Sequence, residues 1–212
     1  PQVVEAVKKQ LDKHMHLMVY GEFVQYPQVK FAELLCRQLP GSLDNIYFVN
    51  SGSEANEGAL KLAKRYTSRT EIIACNKAYH GSTHGAISIM GDEKFRNPFR
   101  PLLPDIRYIN FNNEQELEQI TERTACVIVE PIQAEAGIVL PENNYLQKLR
   151  KKCDETGTLL IFDEIQTGFG RTGELFAQKK YNVIPDIFTI AKGMGGGMPI
   201  GAFVSSKKIM DS

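Results

Sequence analysis

The chain has 212 residues, 42% hydrophobic and 24% charged, an ordinary globular composition with enough length for a sizeable core. Twenty-five Lys and Arg balance twenty-five Asp and Glu, so no field of one sign is available to hold a nucleic-acid backbone or an anionic membrane face; small molecules or proteins are the expected partners. No apolar stretch approaches the roughly 18 residues of a membrane span, and the opening PQVVEAVKKQ does not read as a signal peptide.

Val3, Val4, Val7, Leu11, Met15 and Met18 recur at helical spacing, as do Phe31, Leu34, Leu35 and Leu39 after Pro27, so residues 1–45 read as a helical lead-in. From residue 46 to 212 short apolar runs alternate with longer amphipathic segments, as parallel βα units require. The predicted strands are IYFV at 46, EIIAC at 71, IRYI at 106, CVIV at 126, TLLIF at 158, IFTI at 187 and GAFV at 201. Helices are expected over 53–66, 82–90, 113–122 and 142–156. Strands that read as nearly unbroken apolar runs must be covered on both faces, which predicts an α/β fold, a three-layer sandwich on a mostly parallel sheet. Pro1 opens directly on a helical pattern and KKIMDS stops just after a strand, so both ends read as interior points of a longer chain.

In such a sheet, ligands bind beyond the carboxyl ends of the strands. NSGSEANEG follows the first predicted strand, Glu130 follows CVIV, Asp163 follows TLLIF, and Lys192 comes one residue after IFTI. Four chemically capable groups therefore leave four strands on one edge.

Each group has an ordinary alternative. Ser51 and Glu54 fit a capping box, and with Gly52 the turn can either bind an anion at a helix start or simply cap it. Asp163 ends a run that should be buried and needs a cationic partner. Its LLIFDE context resembles the acidic strand end of nucleotide hydrolases, but no G-x-x-x-x-G-K-[ST] occurs. Gly168, Gly170 and Gly173 match G-x-G-x-x-G with no convincing ribose-binding acid on a following strand, and a structural turn explains them equally well. His80 and His84 are four apart, yet the neighbouring Gly81 and Gly85 weaken the helix and no H-E-x-x-H is present, so no metal is expected. Tyr79 is either a core tyrosine or a ring that stacks on a flat ligand. Lys192 leaves an apolar strand into glycines that clear space around it, which suits a solvated lysine, a phosphate ligand or a desolvated nucleophile. Cys36, Cys75, Cys126 and Cys153 lie far apart without a C-x-x-C pair, consistent with reduced thiols in a cytoplasmic protein.

One ligand answers all these groups: a phosphate for residues 51–53, a ring for Tyr79, a ring cation for Asp163 and an aldehyde for Lys192. Pyridoxal 5'-phosphate carries all four.

The stretches FVNSGSEANEGALKLAK, AYHG, VIVEPIQAEAG, LLIFDEIQTGFGRTG and DIFTIAKGMGGGMPIGAF, in that order from about residue 48 to 203, resemble the large domain of a class III (subgroup II) pyridoxal-phosphate aminotransferase of fold type I, of the acetylornithine and ornithine kind. The resemblance implies that Lys192 carries the cofactor as a Schiff base and shuttles the substrate's Cα proton, and that Asp163 keeps the ring nitrogen protonated. It further implies that Ser51, Gly52 and Ser53 take the phosphate, that Tyr79 stacks on the ring with His80 beside it, and that Gln166 and Glu130 lie near the phenolic oxygen. Glu135 matches a glutamate that pairs with a substrate-binding arginine and swings away for the second substrate, and Arg171 is given a structural role. The implied reaction moves an amino group from an ω-amino donor to 2-oxoglutarate in a homodimer; a cofactor-binding module without turnover, or a related aminomutase or decarboxylase, is the alternative. Ala134 departs from the family's glycine beside Glu135 and is expected to narrow that loop. A threonine that reaches a partner's cofactor and a small C-terminal domain with a carboxylate-binding arginine are expected beyond residue 212.

Overall fold

The computed structural model describes residues 2–15 and 23–212, so Met18 of the first apolar stripe lies outside the described residues. The lead-in forms α1 (Gln2–Lys13), none of whose residues is buried, and α2 (Tyr26–Cys36), which carries Pro27 in its first turn and buries Leu35. All seven predicted strands are present: β1 (Asn45–Val49), β2 (Glu71–Cys75), β3 (Ile106–Ile109), β4 (Thr124–Val129), β5 (Leu159–Asp163), β6 (Ile187–Ile190) and β7 (Gly201–Ser205).

They make one sheet in the order β1-β7-β6-β5-β4-β2-β3. Strand β7 runs antiparallel to both β1 and β6, and the remaining pairs are parallel. Two reversals cancel, so β1 points the same way as the parallel set. Six strands thus end on one edge, and β7 begins there, with Gly201 opposite Val49.

The period-2 alternation of each strand feeds two separate cores. On one face Val127, Val129, Leu160, Phe162 and Phe188 pack with Tyr145, Leu146, Leu149 and Cys153 of α6 (Tyr145–Thr156). On the other, Cys126, Ile128, Ile161 and Ile187 pack with Ala59, Leu60 and Ala63 of α3 (Gly52–Thr67). Small residues on α3 let it lie close to the sheet, and the result is the three-layer α/β sandwich expected from the apolar runs.

Two expected helices are shorter than their patterns. Over 113–122 only a 3₁₀ stretch forms, Glu114–Gln119. Asn113 caps the Gln115 amide, and the Glu116 carboxylate turns back to accept from the Asn110 amide at 2.5 Å and its side chain at 2.8 Å, so side chains take over the local polar groups. Within 82–90 only the five-residue α4 (His84–Ser88) forms. The Glu57 carboxylate on α3 caps it, accepting from Gly85 N at 2.8 Å and Ala86 N at 3.1 Å. The four cysteines are free thiols, and burial pushes Cys75 and Cys126 up to about 12. Among the described residues no helix is long and apolar enough to cross a membrane.

Candidate active site

The sheet edge where six strands end carries a cavity of about 320 Å³. Ser51, Gly52 and Ser53 line it from the start of α3, Tyr79 and His80 from the loop after β2, and Glu130 and Glu135 from beyond β4. Asp163 and Gln166 line it from the end of β5, and Lys192 from beyond β6. Every candidate site residue read from the sequence therefore meets in one hollow.

At the start of α3, Ser51 is the N-cap and accepts from Glu54 N at 3.2 Å, while the Glu54 carboxylate reaches one residue further back, to Asn50 N at 2.7 Å. First-turn amides of a helix have no carbonyl one turn behind them, so this sixteen-residue helix presents donors and a positive dipole end to the cavity. Glycine is required close by. Gly81 has φ +124, and a Cβ there would fall 2.2 Å from Ser53 Oγ. At Gly52 a Cβ would meet Ile165 Cδ1 at 2.8 Å.

Asp163 is only 3% exposed. Its Oδ2 accepts from Asn56 Nδ2 at 2.8 Å and from His80 Nδ1 at 2.8 Å, and its Oδ1 accepts from Ile165 N at 3.0 Å. Among the described residues no Lys or Arg pairs with it. A buried carboxylate with no Lys or Arg partner among the described residues, on the wall of a cavity, is arranged for a cation that arrives with a ligand.

Glu130 is equally buried, and burial pushes its carboxyl above the usual range, an effect partly offset by His80. Its Oε1 accepts from Tyr79 N at 2.9 Å and its Oε2 from Ala134 N at 3.2 Å. One carboxylate thus ties the loop with the ring residue to the loop with Glu135. Glu135 itself is exposed at the rim. The Tyr79 ring is 37% exposed and backed edge-on by Phe95 at 6.2 Å. Ala134 is half-buried, and its carbonyl accepts from Gly137 N at 3.1 Å and Ile138 N at 3.2 Å, closing a turn whose ends bridge at Gln133 and Val139.

Lys192 takes φ +46, a left-handed conformation that a residue with a Cβ adopts at a cost. Its Nζ donates to Gln166 Oε1. Gln166 and Lys192 also line a second hollow of about 280 Å³ that exposed Arg171 borders. The two histidines that suggested a metal face apart: His80 is committed to Asp163, and His84 Nε2 lies 3.1 Å from Pro101 O. Among the described residues no group of three or more His, Cys, Asp or Glu is placed to hold a metal ion.

Sequence reasoning overlooked Asn56. It is fully buried and donates both to Asp163 and to His80 O at 2.7 Å. The signal was available: Asn56, Ala59, Leu60 and Ala63 fall at i, i+3, i+4 and i+7, so a polar residue occupies the core stripe of α3.

These features fit pyridoxal phosphate. A helix start with free amides suits its phosphate, a buried anion suits its ring cation, and a lysine held by a neutral oxygen suits its aldehyde.

Comparison with known proteins points the same way. The family model described as Aminotransferase class-III matches residues 1–212. The chain is 43% identical to acetylornithine aminotransferase of Methanopyrus kandleri over 215 aligned residues, covering 100% of this chain and 54% of that protein. It is 44% identical over 201 residues to a [LysW]-aminoadipate semialdehyde/glutamate semialdehyde transaminase of Sulfolobus acidocaldarius, covering 94% of this chain and 51% of that one. Among solved structures, an (S)-enantioselective omega-transaminase from Thermomicrobium roseum superposes with a TM-score of 0.93 at 32% identity, over 99% of this chain and 53% of that one. An ornithine aminotransferase from Toxoplasma gondii, crystallised with partial occupancy of PLP at its active site, gives 0.91 at 30% identity, over 100% of this chain and 51% of that one. The chain spans about half the length of the curated relatives it matches.

Proposed function

The chain belongs to the class-III aminotransferase family, and from that premise we propose that it takes part in moving an amino group from an ω-amino donor of the acetylornithine, ornithine or 4-aminobutyrate type to 2-oxoglutarate, with pyridoxal 5'-phosphate as cofactor. The relatives named for acetylornithine and for semialdehyde substrates support the donor class. Bound in the cavity, the cofactor supplies an aldehyde for an amine and a ring that draws electrons from the substrate's Cα.

The remaining work falls to side chains of this chain. The amides at Ser51, Gly52 and Ser53 bind the phosphate. The Tyr79 face orients the ring, with His80 behind it. Asp163 accepts the hydrogen bond of the ring nitrogen and favours its protonated form. Gln166 and Glu130 flank the phenolic oxygen. The Lys192 amine would hold the aldehyde carbon, with water lost as the bond forms, and, once the substrate's own amine displaces it, the freed amine would hold and move the proton at the substrate's Cα. Glu135, exposed at the rim, is free to meet a cationic group or turn aside as the substrate changes. Residues 46–212 serve as the cofactor-binding unit, with 1–45 as its helical lead-in.

One observation carries this reading: a buried carboxylate, with no Lys or Arg partner among the described residues, lines the same cavity as a lysine and a helix start. Borohydride reduction of the purified protein incubated with pyridoxal phosphate, followed by peptide mapping, tests it. The expected adduct lies on the peptide with Lys192 and is lost in Lys192→Ala; an adduct elsewhere, or none, overturns it. Single-turnover spectroscopy with glutamate then separates amino transfer from cofactor binding without turnover, in which the bound cofactor's absorption stays unchanged.

The proposal extends to a homodimer in the cytoplasm. Supporting it are free thiols at all four cysteines and the exposed Val3, Val4 and Leu11 of α1, apolar surface that a second copy can cover. Light scattering on the purified protein reads the assembly directly.

A further inference from the structure

We propose that Asn56 is a positioning residue of this site, whose side-chain amide holds the Asp163 carboxylate so that Oδ1 is the oxygen left to receive a donor from the cavity. The inference deepens the reading of the cavity as a pyridoxal phosphate site and rests on it.

Each carboxylate oxygen has two lone pairs in its plane. Oδ2 of Asp163 accepts from both Asn56 Nδ2 and His80 Nδ1 and is saturated. Oδ1 accepts only from Ile165 N, so one lone pair remains for a ligand. Without Asn56, Oδ2 would have spare capacity too, and the carboxylate could rotate to share itself between His80 and the cavity.

Chemistry fixes the amide's orientation. Nδ2 faces two acceptors, His80 O at 2.7 Å and Asp163 Oδ2 at 2.8 Å, and the reversed amide would set oxygen against oxygen at both contacts. This one group therefore joins three segments of the site: α3 with its phosphate-binding start, the 79–81 loop and the end of β5.

Packing does not account for the residue. Asn56 shares the core stripe of α3 with Ala59, Leu60 and Ala63, and its own Oδ1 is buried without a partner. An apolar side chain would cover the same surface without leaving that orphan, but it would take the donor away from His80 O and Asp163 Oδ2, so what the position uses is the amide's hydrogen bonds and not its bulk.

The test compares two ligands, pyridoxal phosphate and its 1-deaza analogue, in which carbon replaces the ring nitrogen. Their dissociation constants are measured by absorbance titration of the purified wild type, of Asn56→Ala and of Asn56→Leu. The leucine variant keeps the core filled and is read if the alanine variant is unstable to heat. In the wild type pyridoxal phosphate is expected to bind more tightly than the analogue. In the variants its affinity should fall about tenfold or more, as for a lost hydrogen bond to a charged group, while the analogue's stays within about twofold.

Equal losses for both ligands would make Asn56 merely structural, and no loss for either would remove its role; each outcome overturns the inference. Failure of the underlying reading looks different. If the wild type forms no borohydride-stable adduct at Lys192, or shows no preference for the ring nitrogen, the cofactor assignment falls and this proposal falls with it.

Discussion

Asp163 and Glu164 are neighbours in sequence and both deeply buried, but the sheet turns them to opposite faces. Asp163 continues the Ile161 face toward α3, and Glu164 continues the Phe162 face toward α7 (Ala177–Tyr181). Glu164 accepts as many hydrogen bonds as Asp163 does, three: Oε2 from Thr167 Oγ1 at 2.7 Å and Ala177 N at 2.8 Å, and Oε1 from Gln178 N at 2.6 Å. It caps α7 and pins the glycine-rich loop between β5 and that helix. Asp163 lines the cavity, where a ligand can reach its remaining lone pair, whereas Glu164 is fully buried and does not line it. Two buried carboxylates one residue apart therefore do different jobs, and what separates them is that only Asp163 borders the cavity.

The largest expected effect separates them by activity. Asp163→Asn keeps the shape, but the amide oxygen is drawn toward the two donors Asn56 and His80, which leaves an NH₂ where the site needs an acceptor. Cofactor should still bind, while the single-turnover rate with glutamate falls by about two to three orders of magnitude, the scale for losing one preorganised charge interaction. A near-normal rate would mean that the free lone pair is irrelevant.

Glu164 should respond in stability instead. In Glu164→Ala two first-turn amides and a hydroxyl lose their buried acceptor, at a cost of about 2–4 kcal/mol in thermal or denaturant unfolding. Unchanged stability would show that the loop is anchored by its glycines and aromatics alone.

The same contrast explains what could be read from the chain in advance. All seven strands were legible: the inner strands are covered on both faces and apolar almost throughout, and the edge strands β1 and β3 still carry short apolar runs. The site residues were legible because each follows such a run and because they form ordered motifs. Asn56 and Glu164 lie inside those motifs, yet their partners are set by which face each side chain takes and by which amides the folded loops present. Glu164 finds its donors 3, 13 and 14 residues away, and no local pattern encodes that meeting. The expected helix at 113–122 failed for a related reason: Glu116 spends its carboxylate on Asn110 rather than on a helical neighbour.

A smaller effect lies in pH. Burial raises the carboxyls of Glu164 and Glu130 above their ordinary value of 4.5. Both therefore bind protons more tightly in the folded chain than in the unfolded one, and stability should fall as pH rises above about 4.5 toward the raised values. Each group adds at most about 1.4 kcal/mol per pH unit to that slope. Glu164→Gln should flatten it in chemical denaturation measured across this window, whereas a slope equal to wild type would mean that Glu164 titrates alike in both states.

The smallest effect isolates a single donor. Thr167 is 4% exposed, and its hydroxyl supplies one of the three hydrogen bonds to Glu164. Thr167→Val preserves volume and removes that hydroxyl, so unfolding free energy should fall by about 1 kcal/mol, the ordinary value of one such bond. The two α7 amides still hold the carboxylate, so α7 stays capped and cofactor affinity should be unchanged. With one donor fewer the ionised form of Glu164 is less favoured, and the pH slope should steepen, opposite to Glu164→Gln. If Thr167→Val instead weakened cofactor binding, the two faces of β5 would not be independent, and the division of labour between Asp163 and Glu164 would have to be withdrawn.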